Sequence, residues 1–442
     1  MGKRGGTTNT RAKREAATKD RIRKKLAVKQ GPKTVCLTMI VKNEAKNMTR
    51  LLDSIKSVVD MISIVDTGST DNTEEVILNW GEKHKIPTTV HHEKFQNFSY
   101  NRTHSVKAAK QAYPNADYFL LSDADFVWKV DVGHKFDKVL LVDHKYLIEQ
   151  YNKSLSYWNV RLLSSKVEWF CRGATHEYWM EGKQGDYDGE VRTAKIKTLA
   201  IDDREDGGAK ADKFERDERL LREGLADPTT EPDLKTRYKF YLAQTLKDMG
   251  RYKESIEWYQ QRVEDKGWLE EVYYSKFQIG FNYEQMGWYK KKAVDLFAKG
   301  QLTQAETELL KKCNPSNLSP LELVEQHTKD FTDAIMSYIA AYQYRKTRAE
   351  ALYHATRLYR SLGLNAQAYE LALTGKAIKY PEADTLFVHR DCYDYLFDYE
   401  LSVVGCYVNK KLGAEKCSEL LQRSDLPEHI RKSCEHNAKF YI

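Results

Sequence analysis

Two aspartates one residue apart, in Ser122-Asp123-Ala124-Asp125-Phe126, follow directly on the short apolar run Tyr118–Leu121. Carboxylates at i and i+2, in a turn at the carboxyl end of a buried strand, can share one divalent cation and the phosphate oxygens it bridges. A hard ion such as Mg2+ or Mn2+ takes oxygen ligands and keeps positions for phosphate and water. Diphosphate is a poor leaving group without that neutralisation, so the ion acts as Lewis acid and template. The D-x-D pair alone is a common turn, and its surroundings give it weight. Met39-Ile40-Val41-Lys42-Asn43-Glu44 leaves one apolar run, and Val65-Asp66-Thr67-Gly68-Ser69-Thr70-Asp71-Asn72-Thr73 leaves another. Asn97-Phe98-Ser99-Tyr100-Asn101-Arg102-Thr103 opens a helical stretch. An aspartate closing a strand can accept from a base N–H or a ribose hydroxyl, and helix N-termini beside it favour phosphate.

The elements that must position these residues read as alternating strand and helix from Val35 to about Ile201. Strands are predicted at Val35–Val41, Met61–Val65, Thr88–His91 and Tyr118–Leu121. Helices are predicted over Asn43–Val59 and Tyr100–Ala112, with another capped by Ser69 or Asp71 and a capping-box Glu74. The order is that of a doubly wound α/β domain, whose ligand crevice lies outside the strand carboxyl ends. Beyond Asp125, strand-like stretches follow at Tyr146–Tyr151, Tyr157–Leu163, Val167–Cys171 and Val191–Ile201.

From Ala211 the composition changes to long amphipathic helices, and residues 235–442 hold 20 of the 28 tyrosines. Helix–turn–helix units with turns at Gly250, Gly287 and Gly363 stand 37 and 76 residues apart. Those spacings approach one and two tetratricopeptide-like repeats. Residues 300–330 read as an irregular insertion. The expected domains are a flexible basic tail at 1–33, an α/β domain at 34–210 and a helical domain at 211–442.

The formal net charge of +7 sits unevenly along the 442 residues. Residues 1–33 hold 12 Lys/Arg against Glu15 and Asp20, which leaves the rest of the chain at −3. A basic pI that belongs to a tail argues against a nucleic-acid-coating protein. No apolar run approaches the ~18 residues of a membrane span, and the basic N-terminus lacks the apolar core of a secretory signal. Seven cysteines without a C-x-x-C pair read as reduced thiols, with a cytoplasmic location.

Taken together, MIVKNE, DTGSTDNT, the Arg102-containing helix start and DAD resemble family 2 glycosyltransferases of the GT-A fold. They stand in family order and at family-like spacing. The resemblance continues through Gly173-Ala174-Thr175-His176-Glu177, similar to the family's G-x-x-H-E segment. It extends into the tetratricopeptide-like half, a combination frequent in large DNA viruses and bacteria, so a viral protein acting in a host cytoplasm is one expectation.

The resemblance implies that Thr38 and Asp66 contact the base and ribose, with Asn43 and Glu44 near them, and that Arg102 lies near the base or diphosphate. It implies that Asp123 and Asp125 form the metal motif, with Asp125 the surer direct ligand and Asp123 also toward the nucleotide. Many relatives carry Arg-Asn where this chain has Arg102-Thr103. Many also carry a metal-binding His near Ile201-Asp202-Asp203, where Asp202 or Asp203 would substitute. Inverting transfer needs a group to take the acceptor's proton; Glu177 is the candidate base, with His176 as its neighbour or an acceptor contact. Lys210, Lys213 and Arg216, after the Gly207-Gly208 pair, could close over a diphosphate.

The reaction implied is inverting sugar transfer from a nucleotide diphosphosugar, by default a UDP-sugar, assisted by Mn2+ or Mg2+. The acceptor would be a glycan or polypeptide held on the helical domain, and homo-oligomerisation is compatible with this reading. A non-catalytic repeat scaffold and a nucleotidyltransferase are the alternatives. The missing Gly-rich first-strand loop counts against the latter.

Overall fold

The computed structural model describes residue 25 and residues 31–152, 155–182, 190–207 and 213–441. Most of the 1–33 tail, and Lys210, lie outside the described residues. The chain divides into two compact units, one ending at Lys213 and the other running from Phe214 to Ile442, with residues 154–156 grouped with the second.

The first unit is built on one mixed sheet. In chain order its strands are β1 (Val35–Val41), β2 (Met61–Asp66), β3 (Thr88–His92), β4 (Tyr118–Leu121), β5 (Phe126–Val130), β6 (Lys145–Asn152), β7 (Leu155–Ser164) and β10 (Thr193–Asp203). Their spatial order is β3-β2-β1-β4-β7-β6-β10-β5. β3, β2, β1 and β4 run parallel, while β7 joins β4 antiparallel. A separate ribbon pairs β8 (Trp169–Arg172) with β9 (Tyr178–Glu181).

Both faces of the sheet are covered, as continuous apolar strands require. On β1, Val35, Leu37, Met39 and Val41 point to one face and Cys36 to the other. The first face packs on Met48, Leu51, Leu52 and Ile55 of helix α1 (Ala45–Ile55) and on Ile77 and Trp80 of α2 (Thr73–His84). The second packs on Val106 and Ala109 of α3 (Phe98–Ala112).

Several expectations shift. The first helix is shorter than the apolar spacing over Asn43–Val59 implies: it opens at Ala45, because Asn43 takes a left-handed backbone (φ 56°) that no helix interior allows, and it ends at Ile55. The α2 cap is Asn72; Asp71 instead accepts from the Thr73 backbone and hydroxyl, and no Glu74 capping box forms. β5 and β9 have no counterpart in the sequence reading.

Among the described residues the second unit is helical apart from a two-residue strand at Val388–His389: α4 (Lys213–Ala226), α5 (Pro232–Asp248), α6 (Tyr252–Glu264), α7 (Leu269–Lys299), α8 (Gln304–Cys313), α9 (Pro320–Tyr344), α10 (Glu350–Ser361), α11 (Asn365–Lys376), α12 (Phe397–Val408), α13 (Lys410–Gln422) and α14 (Glu428–Ala438). Gly250 and Gly363 are turns, with φ 76° at both. Gly287 is not a turn. It lies inside the 31-residue α7, where a Cβ would stand 2.6 Å from the Phe331 ring of α9. Gly280, two helical turns earlier, meets Tyr338 in the same way at 2.7 Å. Seven-residue spacing on both helices makes each glycine a hole for an aromatic knob. Residues 300–330 are not irregular either: α8 and α9 open with capping boxes, Thr303/Glu306 and Ser319/Glu322.

Candidate active site

The order β2-β1-β4 places the chain reversal of this sheet between β1 and β4, where open α/β sheets leave a crevice. Thr38 pairs with Leu121, the last residue of β4, so the β1 exit and the Asp123–Asp125 turn emerge side by side. Antiparallel pairing of β10 with β5 sets Asp203 opposite Phe126. Asp203 thereby joins Asp123, Asp125 and Glu44 in one acidic neighbourhood. Of the two open choices on β10, Asp203 is in this neighbourhood, while Asp202 pairs with Arg204 at 2.8 Å.

The carboxylates are not equivalent. Asp123 Oδ1 accepts from Arg102 Nη2 at 2.6 Å and Oδ2 from Arg161 Nη1 at 3.1 Å. Burial works against its charge, but the two guanidiniums hold its pKa below the ordinary carboxylate value. Asp125 has no ion-pair partner among the described residues. Burial, reinforced by Asp123 and Asp203 and more weakly by Glu44, pushes its carboxyl up to about 6. Arg161 continues the network: Nη2 donates to Gln150 Oε1 at 2.9 Å, and Gln150 Nε2 donates to Asp203 Oδ2 at 2.8 Å. Its guanidinium also covers the Phe126 ring at 4.6 Å.

Glu44 closes the other side. Its Oε2 accepts from Asn47 at 2.8 Å, and its backbone N–H donates to Thr73 Oγ1 at 2.8 Å. Gly207 lies against the pair: a Cβ there would stand 3.3 Å from both Asp125 Oδ2 and Glu44 Oε1. The Gly207 loop is fixed to α1 by the bidentate Arg50–Asp206 pair at 2.6 and 2.7 Å.

The residues expected at the nucleoside lie on β1, at the end of β2 and just beyond β1. Asp66 is buried, and its Oδ1 accepts from Gly68 and Ser69 N–H at 2.8 and 2.7 Å. Asn43 bridges to the same turn, accepting from Thr70 N–H at 2.7 Å. Thr38 is fully interior, and its hydroxyl donates to the Ser105 carbonyl at 3.0 Å, bracing α3 against β1.

His176 and Glu177 lie between β8 and β9, in a loop turned by Gly173 (φ 105°) with His176 itself at φ 50°. Glu177 Oε1 pairs with Arg102 Nε. Thr103, the departure from the Arg-Asn pattern, accepts from the Cys171 N–H of β8 at 2.9 Å, so the α3 start holds this loop at two adjacent residues. Lys213 is exposed at the start of α4, and Arg216, in the second unit, faces Asp217.

Sequence reasoning missed Arg161, Gln150, Arg50 and Asp206. Arg161 alone left a trace, as a lone charge inside the apolar run Trp158–Leu163, a position that demands a partner when buried.

The fold and site define an α/β domain carrying a carboxylate cluster, followed by a helical domain. Residues 36–138 match the family model Glycosyl transferase family 2. This part of the chain is a family 2 glycosyltransferase domain. A TPR repeat-containing protein of Synechococcus elongatus is 35% identical over 91 residues, 21% of this chain and 20% of the relative. The chain thus aligns with a fifth of the length of that curated relative. Among solved structures, Staphylococcus aureus TarS 1–349 in complex with UDP gives a TM-score of 0.26 at 12% identity, covering 70% of this chain and 91% of that one. A thermophilic TPR protein of Thermus thermophilus gives 0.22 at 11% identity, covering 46% and 98%.

Proposed function

We propose that the protein is a metal-dependent, inverting glycosyltransferase that moves a sugar from a nucleotide diphosphosugar, with UDP-sugars as the leading class, to a hydroxyl of a glycan or polypeptide. The observation that carries this reading is the carboxylate group Asp125, Glu44 and Asp203 at the sheet's reversal point, inside a segment matching a glycosyltransferase family.

A divalent cation fits these residues. Burial, with its acidic neighbours, raises the Asp125 carboxyl, and the missing Cβ at Gly207 leaves a cradle between its Oδ2 and Glu44 Oε1. Among the described residues no three His, Cys, Asp or Glu side chains converge to hold an ion by themselves, so diphosphate and water would complete the shell. When bound, the ion supplies charge neutralisation for the departing diphosphate. Asp125 would be the direct ligand, with Glu44 and Asp203 beside it.

Asp66 and Asn43 orient the nucleoside, and Arg102 lies on the diphosphate side. Glu177 accepts the acceptor hydroxyl's proton as its oxygen bonds to the anomeric carbon. The carbon–phosphate-oxygen bond breaks on the opposite face, releasing the nucleoside diphosphate. His176, on the same loop, meets the acceptor.

The test is thermal stability of the whole protein with UDP, GDP, ADP or CDP plus Mn2+, followed by a panel of nucleotide sugars scored for cation-dependent hydrolysis. Stabilisation by one nucleoside diphosphate and hydrolysis of its sugars is the expected result. No shift with any of them would leave a repeat scaffold as the better reading.

A further inference from the structure

We propose that Glu177 and the donor's diphosphate compete for one guanidinium, that of Arg102, so that seating the donor releases Glu177 for the acceptor. This rests on the donor reading above and adds an order of events to it.

Arg102 stands between two carboxylates. Its Nη2 bonds Asp123 Oδ1 at 2.6 Å, and its Nε faces Glu177 Oε1. All three side chains are largely buried, at 17%, 26% and 15% exposure. The two carboxylates differ in what remains if Arg102 turns away. Asp123 keeps a second cation, Arg161 Nη1 at 3.1 Å. Among the described residues, the cation paired with Glu177 is Arg102. A guanidinium forks readily onto phosphate oxygens, and a diphosphate brings more charge and more acceptor oxygens than one carboxylate. A diphosphate entering beside Asp123 and Asp125 therefore draws Arg102 off Glu177 while Asp123 stays neutralised.

The geometry also gives a reason for the contest. The Glu177 oxygen that faces Arg102 is held in that ion pair. Once Arg102 moves to the diphosphate, that oxygen becomes available on a loop that Thr103 still anchors through Cys171.

Binding alone tests this, without turnover. Titration calorimetry of the full chain with UDP and Mn2+ would compare wild type, Glu177→Gln, Arg102→Gln and the double variant, each checked for a cooperative melt. Removing the competing charge should tighten binding: Glu177→Gln is expected to bind UDP about 3- to 10-fold more tightly than wild type. On the Arg102→Gln background the same change should alter affinity less than about 2-fold. Unchanged affinity in Glu177→Gln would overturn the proposal. Equal tightening with and without Arg102 would also overturn it, since that is plain charge repulsion. If Arg102→Gln fails to fold, Arg102→Lys replaces it, and the tightening should shrink because the fork is lost. Wild-type protein that binds no nucleoside diphosphate would instead overturn the donor reading itself.

Discussion

At the scale of single residues, the site turns on how two arginines are shared among its carboxylates. Asp123 holds both, while Asp125 sits among acids. Asp125→Asn is therefore expected to stabilise the cation-free protein by about 1–3 kcal/mol, because it removes a buried repelled charge. The same variant should lose the added stability conferred by Mn2+ with nucleotide, and cation-dependent donor hydrolysis should fall ~100-fold or more. Denaturant titration with and without Mn2+ reads both effects. Arg161 works in the opposite sense. Its side chain is 9% exposed and bonds Asp123 and Gln150 together. Arg161→Met leaves Asp123 with one partner and frees Gln150, at an expected cost of about 1–3 kcal/mol.

At the scale of elements, the pairing of α7 with α9 shows how a residue's meaning depends on its partner. Gly280 and Gly287 lie on one face of α7 and receive Tyr338 and Phe331. Alanine is the better helix former by about 1 kcal/mol. At Gly287, however, its methyl would press on the Phe331 ring at 2.6 Å, and overpacking of that kind costs about 1–3 kcal/mol. Gly287→Ala should therefore lower the melting temperature rather than raise it. The paired variant Gly287→Ala with Phe331→Leu should recover part of the loss, a coupling that a double-mutant cycle would measure.

Across the whole molecule, charge and pH divide between parts of the chain. In the helical unit, burial holds the His354 imidazole well below its ordinary pKa of 6.5, with Arg357 and His389 adding to the effect. Glu284 also faces the ring, at 4.0 Å from Nδ1. The unfolded chain therefore takes up a proton that the folded unit refuses. The stability contributed by neutral His354 is present above about pH 6.5 and is lost as pH falls below it toward the folded value. His354→Gln should flatten the pH dependence of unfolding of this unit between about pH 6.5 and 5. The net positive charge belongs to the first 33 residues and the remainder is at −3. Removing residues 1–33 should leave sugar transfer to a soluble acceptor unchanged. A fall in that rate would give the tail a part in catalysis or acceptor capture.

The parallel strands, their helices and the D-x-D turn were legible in the sequence because local rules write them. Apolar runs of strand length, helical spacing and turn residues act over a few positions, and β4 falls where its four apolar residues say it should. Gly250 and Gly363 were legible as turns for the same reason, since a left-handed backbone is a local demand. What only the tertiary structure decided is which side chains meet. Gly287 carries the same local signal as Gly363, but a long-range neighbour, Phe331, gives it the opposite role. Asp203 reaches Asp125 only through pairing of β10 with β5, a strand with no clear signal of its own. Arg161 reaches Asp123 from 38 residues away. The carboxylates themselves were visible as a list. Their division into neutralised Asp123, crowded Asp125 and Arg102-bound Glu177 was not, because Coulomb energy and desolvation depend on separations in space, which spacing along a chain does not encode.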